Sequence, residues 1–505
     1  MSRADTRGEI VSGAIWMLAF KLTERSLGFL STIVLVRLLL PDDFGVMAMS
    51  MSLIAVLELL KSFSFDVALI QRREVDRGHL DTAWTFNLLF GIGVALMIVA
   101  LARPASLYYA EPRLEAVAYV LATGWMISSF ENVGTVSFRR DMQFRTEYWF
   151  LVTKKIATVA VTLPLAYVLR SYWALVAGVV LGRVLSVLIS YRMHDFRPRL
   201  SLQKARDLMS FSSWLLVNNI LYFVNERFTD FAVGRIAGTS SLGLYNISFE
   251  IANMPTAEIA APINRAMLPG YSKIAREQGD LARTYVDAVS VMGFFSLPVG
   301  AGIAALAGPL VSLVLGTKWL AAIPLIQVLG IYGALASVGT NTGSALLALG
   351  RQRSLTALAA LRLCLLVPAV IWATNRHGVL GTAWAVLIVT LVVTPLNFGA
   401  LLPRLGVRVS SFLGALWRPL VTSVVMFMIV GALLEQLAAA GVASPLAQLL
   451  LGTAAGTAVS LALLGLLWWA SGRPKGAETI ILGQVINRWA ARRKAAALAA
   501  AARAD

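Results

Sequence analysis

The chain has 505 residues, of which 58% are hydrophobic and 14% charged, with a mean hydropathy of +0.73 and a formal net charge of +17. A composition this apolar excludes a soluble multidomain protein and describes a polytopic membrane protein. One cysteine, Cys364, and three scattered histidines, His79, His194 and His377, leave no material for a disulfide framework or a Cys/His metal cluster.

A crossing helix needs roughly 20 mostly apolar residues. The N-terminus carries charges of both signs and no small-residue cleavage site, so the first helix is expected to be retained. Windows of sufficient length follow at 13–36, 44–70, 80–102, 114–138, 146–169 and 171–191, then at 208–234, 241–268, 284–307, 321–349, 354–375 and 378–402, with a further pair at 416–437 and 445–469. Segment 309–316 is too short to cross and is expected to lie at the interface or re-enter. In the tail from Gly472 to Asp505, Ile481, Val485 and Trp489 share a helical stripe beside Arg488, Arg492, Arg493 and Lys494. That pattern suits a helix lying on anionic membrane lipids or, equally, a basic tail that only fixes topology.

Two stretches echo each other. Trp16, Leu18, Arg37, Gly45 and Ser50 recur 198 positions later as Trp214, Leu216, Arg235, Gly243 and Ser248, and Tyr172-Trp173-Ala174 returns 211 positions later as Ala383-Trp384-Ala385. In both copies the Trp enters a long apolar segment, the Arg leaves it and the Gly opens the next. The fold class is therefore all-α, a polytopic membrane protein of about fourteen transmembrane helices. We expect two parallel six-helix lobes, residues 1–200 and 201–404, followed by a peripheral helix pair, 405–471, and a basic tail, 472–505. Six helices per copy start both copies on the same side, which makes them parallel repeats around a shared axis.

Placing the N-terminus inside assigns 28 basic residues to inner segments and 7 to outer loops. By the positive-inside rule both termini are expected in the cytoplasm. The same asymmetry accounts for the net charge, so nucleic acid is not an expected partner.

Nine cations and nine acids remain inside the repeat helices, and an ionised group at mid-membrane costs at least about 2.5 to 3.5 kcal/mol unless it meets water or a partner. Lys21, Glu24, Arg25, Gly28 and Thr32 form one stripe at i, i+3, i+4 spacing. The repeat partner helix aligns Asn219, Tyr222, Glu226 and Asp230, with Arg227 beside them, while Glu58, Lys61, Asn246, Glu250, Asn253 and Asn264 enrich the neighbouring helices. These helices are expected to line a water-filled cavity. The competing reading is structural ion pairing between helices, and Lys154 and Lys155, being adjacent, cannot both point the same way. Candidate substrate contacts are Lys21, Arg25, Lys61, Lys154, Arg183, Asn219, Tyr222, Arg227, Asn246, Asn253, Arg265 and Arg362; candidate ion-coupling groups are Glu24, Glu58, Glu226, Asp230 and Glu250. No nucleophile elbow, phosphate-cradling glycine loop or large aqueous loop occurs, so neither an enzyme nor a cofactor is expected.

Ser12-Gly13-Ala14 with Trp16, Arg37 with Phe44-Gly45, Ile70-Gln71-Arg72 with Glu74, Tyr245-Asn246, Gly316-Thr317-Lys318-Trp319, Pro324 with Gln327, and Gly350-Arg351 together resemble the polysaccharide transporter family of the multidrug/oligosaccharidyl-lipid/polysaccharide flippase superfamily, colanic-acid type. The resemblance implies alternating access without an ATPase domain. It implies a lipid-linked oligosaccharide, carried on undecaprenyl diphosphate, as the substrate moved from the cytoplasmic to the periplasmic leaflet of a bacterial inner membrane, with polysaccharide polymerase and export machinery as further partners. Arg and Lys would replace the hydration of the diphosphate, and the Asn and Tyr side chains would meet the sugar. The alternatives are a cation-coupled multidrug exporter of the same fold, for which nine embedded cations are the wrong sign, and a non-transporting scaffold of an assembly complex.

Overall fold

The computed structural model describes residues 3–58, 69, 75–205, 213–276, 279–474 and 476–480, and every regular element among them is helical. α1 (Arg3–Leu38) is followed after a two-residue break by α2 (Pro41–Glu58). Pro41 occupies the first position of α2, where a missing N–H is harmless, and Asp43 accepts the Leu40 amide at 2.9 Å, satisfying a donor at the helix start. α3 (Arg77–Tyr109) opens on a capping box between Asp76 and His79. α4 (Arg113–Ser128), α5 (Phe144–Leu169) and α6 (Tyr172–Met193) complete the first series.

The helix expected at 114–138 stops at Ser128. Asn132 ends it, because its side chain accepts the Gly134 amide at 2.9 Å and donates to the carbonyls of His194 and Phe196 at 3.2 and 2.8 Å. Three 3₁₀ residues, Val133–Thr135, and a short helical turn, Val136–Arg140, follow.

α7 (Ser213–Arg276) is interrupted at Gly238, φ 82°, and α11 (Gln352–Leu405) at Gly378, φ 61°. Eight residues of continuous helix span about 12 Å, yet the hydroxyls of Thr374 and Thr382 lie 2.7 Å apart across Gly378. A Cβ on Gly234 would lie 3.3 Å from Leu242 across Gly238. The chain doubles back at both glycines, which alone take a left-handed φ without strain. Gly238 stands 198 positions after Leu40, so it occupies the same place in the second copy as the α1–α2 break does in the first.

α8 (Leu281–Ala305) leads to the 309–316 segment, which does not cross. It is a helical turn, Ala307–Leu310, a π turn, Val311–Leu315, and a 3₁₀ turn, Thr317–Ala322, wrapped around the fully buried Trp319. α9 (Ile323–Gly339), α10 (Asn341–Ala348), α12 (Val409–Ala439) and α13 (Pro445–Ala470) complete the order. Counting α7 and α11 as two segments each, and α9 with α10 as one, gives fourteen long helical segments among the described residues. Among the described residues, eight helices are long and apolar enough to cross a membrane on length and composition alone. α1 and α7 are too polar to join them, because they carry the charges singled out above.

The chain divides into two compact units, residues 1–246 and 247–505. In the first, Val46, Leu53, Ile54, Val94, Ile98, Leu121, Trp125 and Val176 form a core. Lipid is as apolar as leucine, so helices adhere through close fit instead. Gly178 and Gly182 on α6 let α5 approach through Thr162 and Thr158, and a Cβ on Gly182 would stand 2.7 Å from the Thr158 hydroxyl. In the second unit Tyr271, Tyr285 and Phe412 centre a core with Leu297, Val338 and Leu401.

The loops of the first unit gather in two groups. At one end Asp42, Asp43, Glu111, Arg113, Tyr172 and Thr239 interact. At the other, residues 194–204 form a strap along the start of α3: the amides of Arg199, Ser201 and Lys204 donate to Asp81, Thr85 and Thr82 at 2.8, 3.0 and 3.3 Å. His194 closes this end through Ser137, 3.1 Å away, and its burial holds the imidazole below its usual pKa.

Candidate functional site

The α1 stripe lies along α5. Thr23 meets the Tyr148 hydroxyl at 3.3 Å, Trp16 packs on Tyr148 with centroids 5.2 Å apart, and a Cβ on Gly28 would lie 3.8 Å from the Lys155 ammonium. Lys21 pairs with Glu24 at 3.3 Å, with side chains 46% and 39% exposed. Arg25, one turn on, is exposed. The adjacent lysines of α5 diverge: Lys155 lies near Gly28, whereas Lys154 holds Glu131 at 2.6 Å and lies 4.8 Å from the Phe150 ring. On α6, Arg183 stacks over Trp125 at 4.5 Å. α1, α5 and α6 thus hold five cations, Lys21, Arg25, Lys154, Lys155 and Arg183, within the helices of one unit.

On α7, Arg227 pairs with Asp230 at 3.3 Å; Asp230 is buried, while Arg227 and Glu226 are exposed. Tyr109 is buried beside this segment, stacked on Phe231 at 6.3 Å and packed against Gly234. Asn246 is half-buried. In the second unit Asn253 turns back to the Phe249 carbonyl at 2.9 Å, Glu250 and Arg265 are exposed, and Arg362 is half-buried. Lys61 lies outside the described residues, as do the side chains of Glu58, Asn219 and Tyr222 and the tail stripe at Ile481, Val485 and Trp489.

The two repeat-related turns, 40–45 and 238–243, meet face to face within the first unit. A Cβ on Gly45 would collide with the backbone carbonyl of Thr239, and a Cβ on Gly243 would collide with the backbone carbonyl of Pro41. Gly45 and Gly243 are 198 residues apart, and so are Pro41 and Thr239. Residue i meets j′ and residue i′ meets j, which is the signature of a two-fold contact. One hydrogen bond breaks the symmetry. Asp42 accepts the Thr239 hydroxyl, but the positions that correspond through the repeat are Ser240 and Pro41, and Pro41 has no hydroxyl to return. Asp42 is moored by Arg113 at 2.6 Å, and Arg113 is held in turn by Glu111 at 2.7 Å and stands over the Tyr172 ring at 5.6 Å. The guanidinium holds both carboxyls below the usual carboxylate range and is itself pushed up by them. Asp43, the next residue, binds inward instead, taking the Leu40 and Tyr172 amides at 2.9 and 2.7 Å.

Several of these partners escaped sequence reasoning. Glu131 was visible only as one acid among nine, because its lysine lies 23 positions away. Of a neutral polar seam in the second unit only Asn264 stood out in the sequence: Asn341 donates to the Met292 sulfur at 2.8 Å, Tyr285 meets Thr342 at 3.0 Å, and Asn264 donates to Thr340 at 3.0 Å. Arg418, counted with the inner loop cations, is 2% exposed and pairs at 3.0 Å with Glu478, itself 7% exposed, at the start of the tail. The Ala477 amide beside that pair donates to Ser290 of α8 at 3.1 Å.

A model of the polysaccharide biosynthesis protein family matches residues 34–324. The chain is 25% identical over 422 residues to the lipopolysaccharide biosynthesis protein WzxC of Escherichia coli (strain K12), covering 82% of this chain and 85% of that one. It is 23% identical over 458 residues to the succinoglycan biosynthesis transport protein ExoT of Rhizobium meliloti (strain 1021), covering 89% and 91%. Among solved structures, the lipid II flippase MurJ in an inward closed conformation aligns with a TM-score of 0.72 at 12% identity, over 90% of this chain and all of that one. At that identity the likeness gives the fold, a multi-pass helical bundle.

Proposed function

The chain belongs to the polysaccharide biosynthesis protein family, and from that premise we propose that it is a flippase moving an undecaprenyl-diphosphate-linked oligosaccharide from the cytoplasmic to the periplasmic leaflet of a bacterial inner membrane. It works by ion-coupled alternating access, with both termini in the cytoplasm, and supplies polysaccharide polymerase and export machinery. The roles carried by its relatives' names, in lipopolysaccharide and succinoglycan biosynthesis, support this reading.

The observation that carries it is the state of the cations in the first unit. Lys21 and Arg227 have acidic partners three residues away on their own helices, with the Lys21 and Arg227 side chains 46% and 47% exposed. The Lys21–Glu24 pair, exposed on both sides, contributes only about 0.3 to 0.5 kcal/mol, so an arriving diphosphate displaces it at little cost. Phosphate oxygens in charge-assisted bonds to guanidinium and ammonium groups then regain what they lost on leaving water. Arg25 contributes a planar fork suited to two phosphate oxygens, which an ammonium cannot copy. Asn246 supplies neutral donors and acceptors for sugar hydroxyls, and the polyprenyl chain stays in lipid. Glu24, Glu226 and Asp230 balance the cations when the site is empty and take up the coupling ion.

Leaflet transfer of a lipid-linked oligosaccharide into the protected leaflet of proteoliposomes, normalised to inserted protein, tests the proposal. Arg25→Lys should slow transfer and Arg25→Ala should abolish it without loss of insertion. Lost insertion with unchanged transfer per molecule would make Arg25 a structural residue.

A further inference from the structure

We propose that the 40–45 and 238–243 turns are the outer gate of the transport path, and that Asp42, moored by Arg113, is its latch. The inference rests on the flippase reading above for what passes and on its cytoplasmic termini for which face is outer. With both termini inside, residues 40–45, 110–113, 170–172 and 238–243 all belong to outer loops, and these are the loops that interact at one end of the first unit.

The geometry suits a contact that opens and closes. The two turns touch through glycine and backbone carbonyls, with no side chain of one inserted into the other at Gly45 or Gly243. Backbone surfaces of this kind part without repacking a core, whereas interdigitated side chains resist separation. The two-fold relation means that one rigid displacement breaks both glycine contacts at once. A polar contact reinforces one side. Asp42 reaches out to Thr239, while its neighbour Asp43 ties α2 to the Leu40 and Tyr172 amides and Arg113 ties Asp42 to the start of α4. Closing the gate therefore requires the 238–243 turn to dock on a frame that the first copy has already fixed.

The test uses the full chain with Cys364→Ser, which removes the single, exposed cysteine. Asp42→Cys with Thr239→Cys places two thiols where two hydrogen-bonded side chains stood. Oxidation should link them, reduce transfer of lipid-linked oligosaccharide to the level of empty vesicles, and be reversed by dithiothreitol. Independently of transport, a membrane-impermeant maleimide added from outside should label Thr239→Cys severalfold faster when Gly45→Ala or Gly243→Ala is also present, because either methyl group keeps the turns apart. A linked protein that transfers at the reduced rate, or labelling that neither alanine changes, would overturn the gate. Labelling from the inner face alone would also overturn it, by placing the turns on the wrong side. If the reduced double-cysteine protein and its Cys364→Ser parent both fail to transfer any lipid-linked oligosaccharide, the flippase reading fails, and the labelling comparison still decides the gate.

Discussion

The Lys21–Glu24 pair of the first unit and the Arg418–Glu478 pair of the second are made of the same chemistry at similar lengths, 3.3 and 3.0 Å, yet burial sets them apart. Lys21 and Glu24 are 46% and 39% exposed and lie three residues apart on one helix. Arg418 and Glu478 are 2% and 7% exposed and join α12 to the start of the tail. An exposed pair on one helix is held weakly and exchanges partners readily. A buried pair that joins separate segments cannot lose one member without stranding the other's charge. The first arrangement is fit to receive an anion and the second to fasten the chain, so on the proposed reading charge inside this protein has two uses that distance alone does not separate.

The largest effect should come from breaking the buried pair. Arg418→Ala or Glu478→Ala should destabilise by about 3 to 5 kcal/mol, read as a lower melting temperature and less inserted protein, with transfer per inserted molecule unchanged. Replacing both by apolar residues, Arg418→Met with Glu478→Leu, should recover most of that loss. Failure of the double variant to recover would give the pair a role beyond fastening.

Next is the pair between the two extremes. Glu131 and Lys154 are 33% and 21% exposed and bridge separate segments at 2.6 Å. Glu131→Gln keeps a hydrogen-bond acceptor but removes the charge, so a loss of roughly 1 to 2 kcal/mol is expected in a thermal melt. Full stability, with transfer altered instead, would move Lys154 to the exchangeable class.

Comparable in size is the close fit at the α5–α6 crossing. Gly182→Ala places a methyl group against Thr158 and should cost about 1 to 3 kcal/mol where the neighbour cannot yield, and Gly182→Ala with Thr158→Ala should restore the melting temperature.

The smallest effect is that of acid on the Asp42–Arg113–Glu111 group. Both carboxyls titrate below their usual range because Arg113 bonds their ionised forms. A lowered folded-state value means the stabilisation is complete above the unfolded pKa, near 4, and is lost as pH falls through the lower folded value. Between pH 7 and 5 this group should therefore contribute no change. Below about pH 4 the parent should lose slightly more stability than Asp42→Asn, by less than about 1 kcal/mol given the exposure of the pair, read as a larger fall in melting temperature.

The sequence revealed the helices and their repeat because both are written locally. Apolar windows mark the crossings, and the 198-residue offset that pairs Trp16 with Trp214 also pairs Gly45 with Gly243 and Leu40 with Gly238. The reversal at Gly378 fell between windows ending at 375 and starting at 378. The break at Ser128 was missed because Asn132 ends that helix through carbonyls more than 60 residues away. The strap at 194–204 read as an ordinary basic loop, since its amides carry no sequence signal for the side chains that receive them. Among the candidate site residues, the Lys21–Glu24 spacing on α1 was legible in the sequence, whereas the sequence sets Arg227 beside Asp230 without pairing the two. Glu131 with Lys154, Arg183 over Trp125, and Arg418 with Glu478 depend on packing between distant segments. Burial, which separates a binding charge from a fastening one, is likewise a property of the folded chain.

The most direct measurement is leaflet transfer of an undecaprenyl-diphosphate-linked oligosaccharide by purified protein in proteoliposomes, comparing the parent with Lys21→Ala, Arg25→Ala and Arg227→Ala at equal inserted protein. The account predicts transfer by the parent well above empty vesicles and a severe loss in each variant, greatest for Arg25→Ala. Near-parental transfer by all three variants would contradict the diphosphate role of these cations, and no transfer by the parent would contradict the flippase assignment itself.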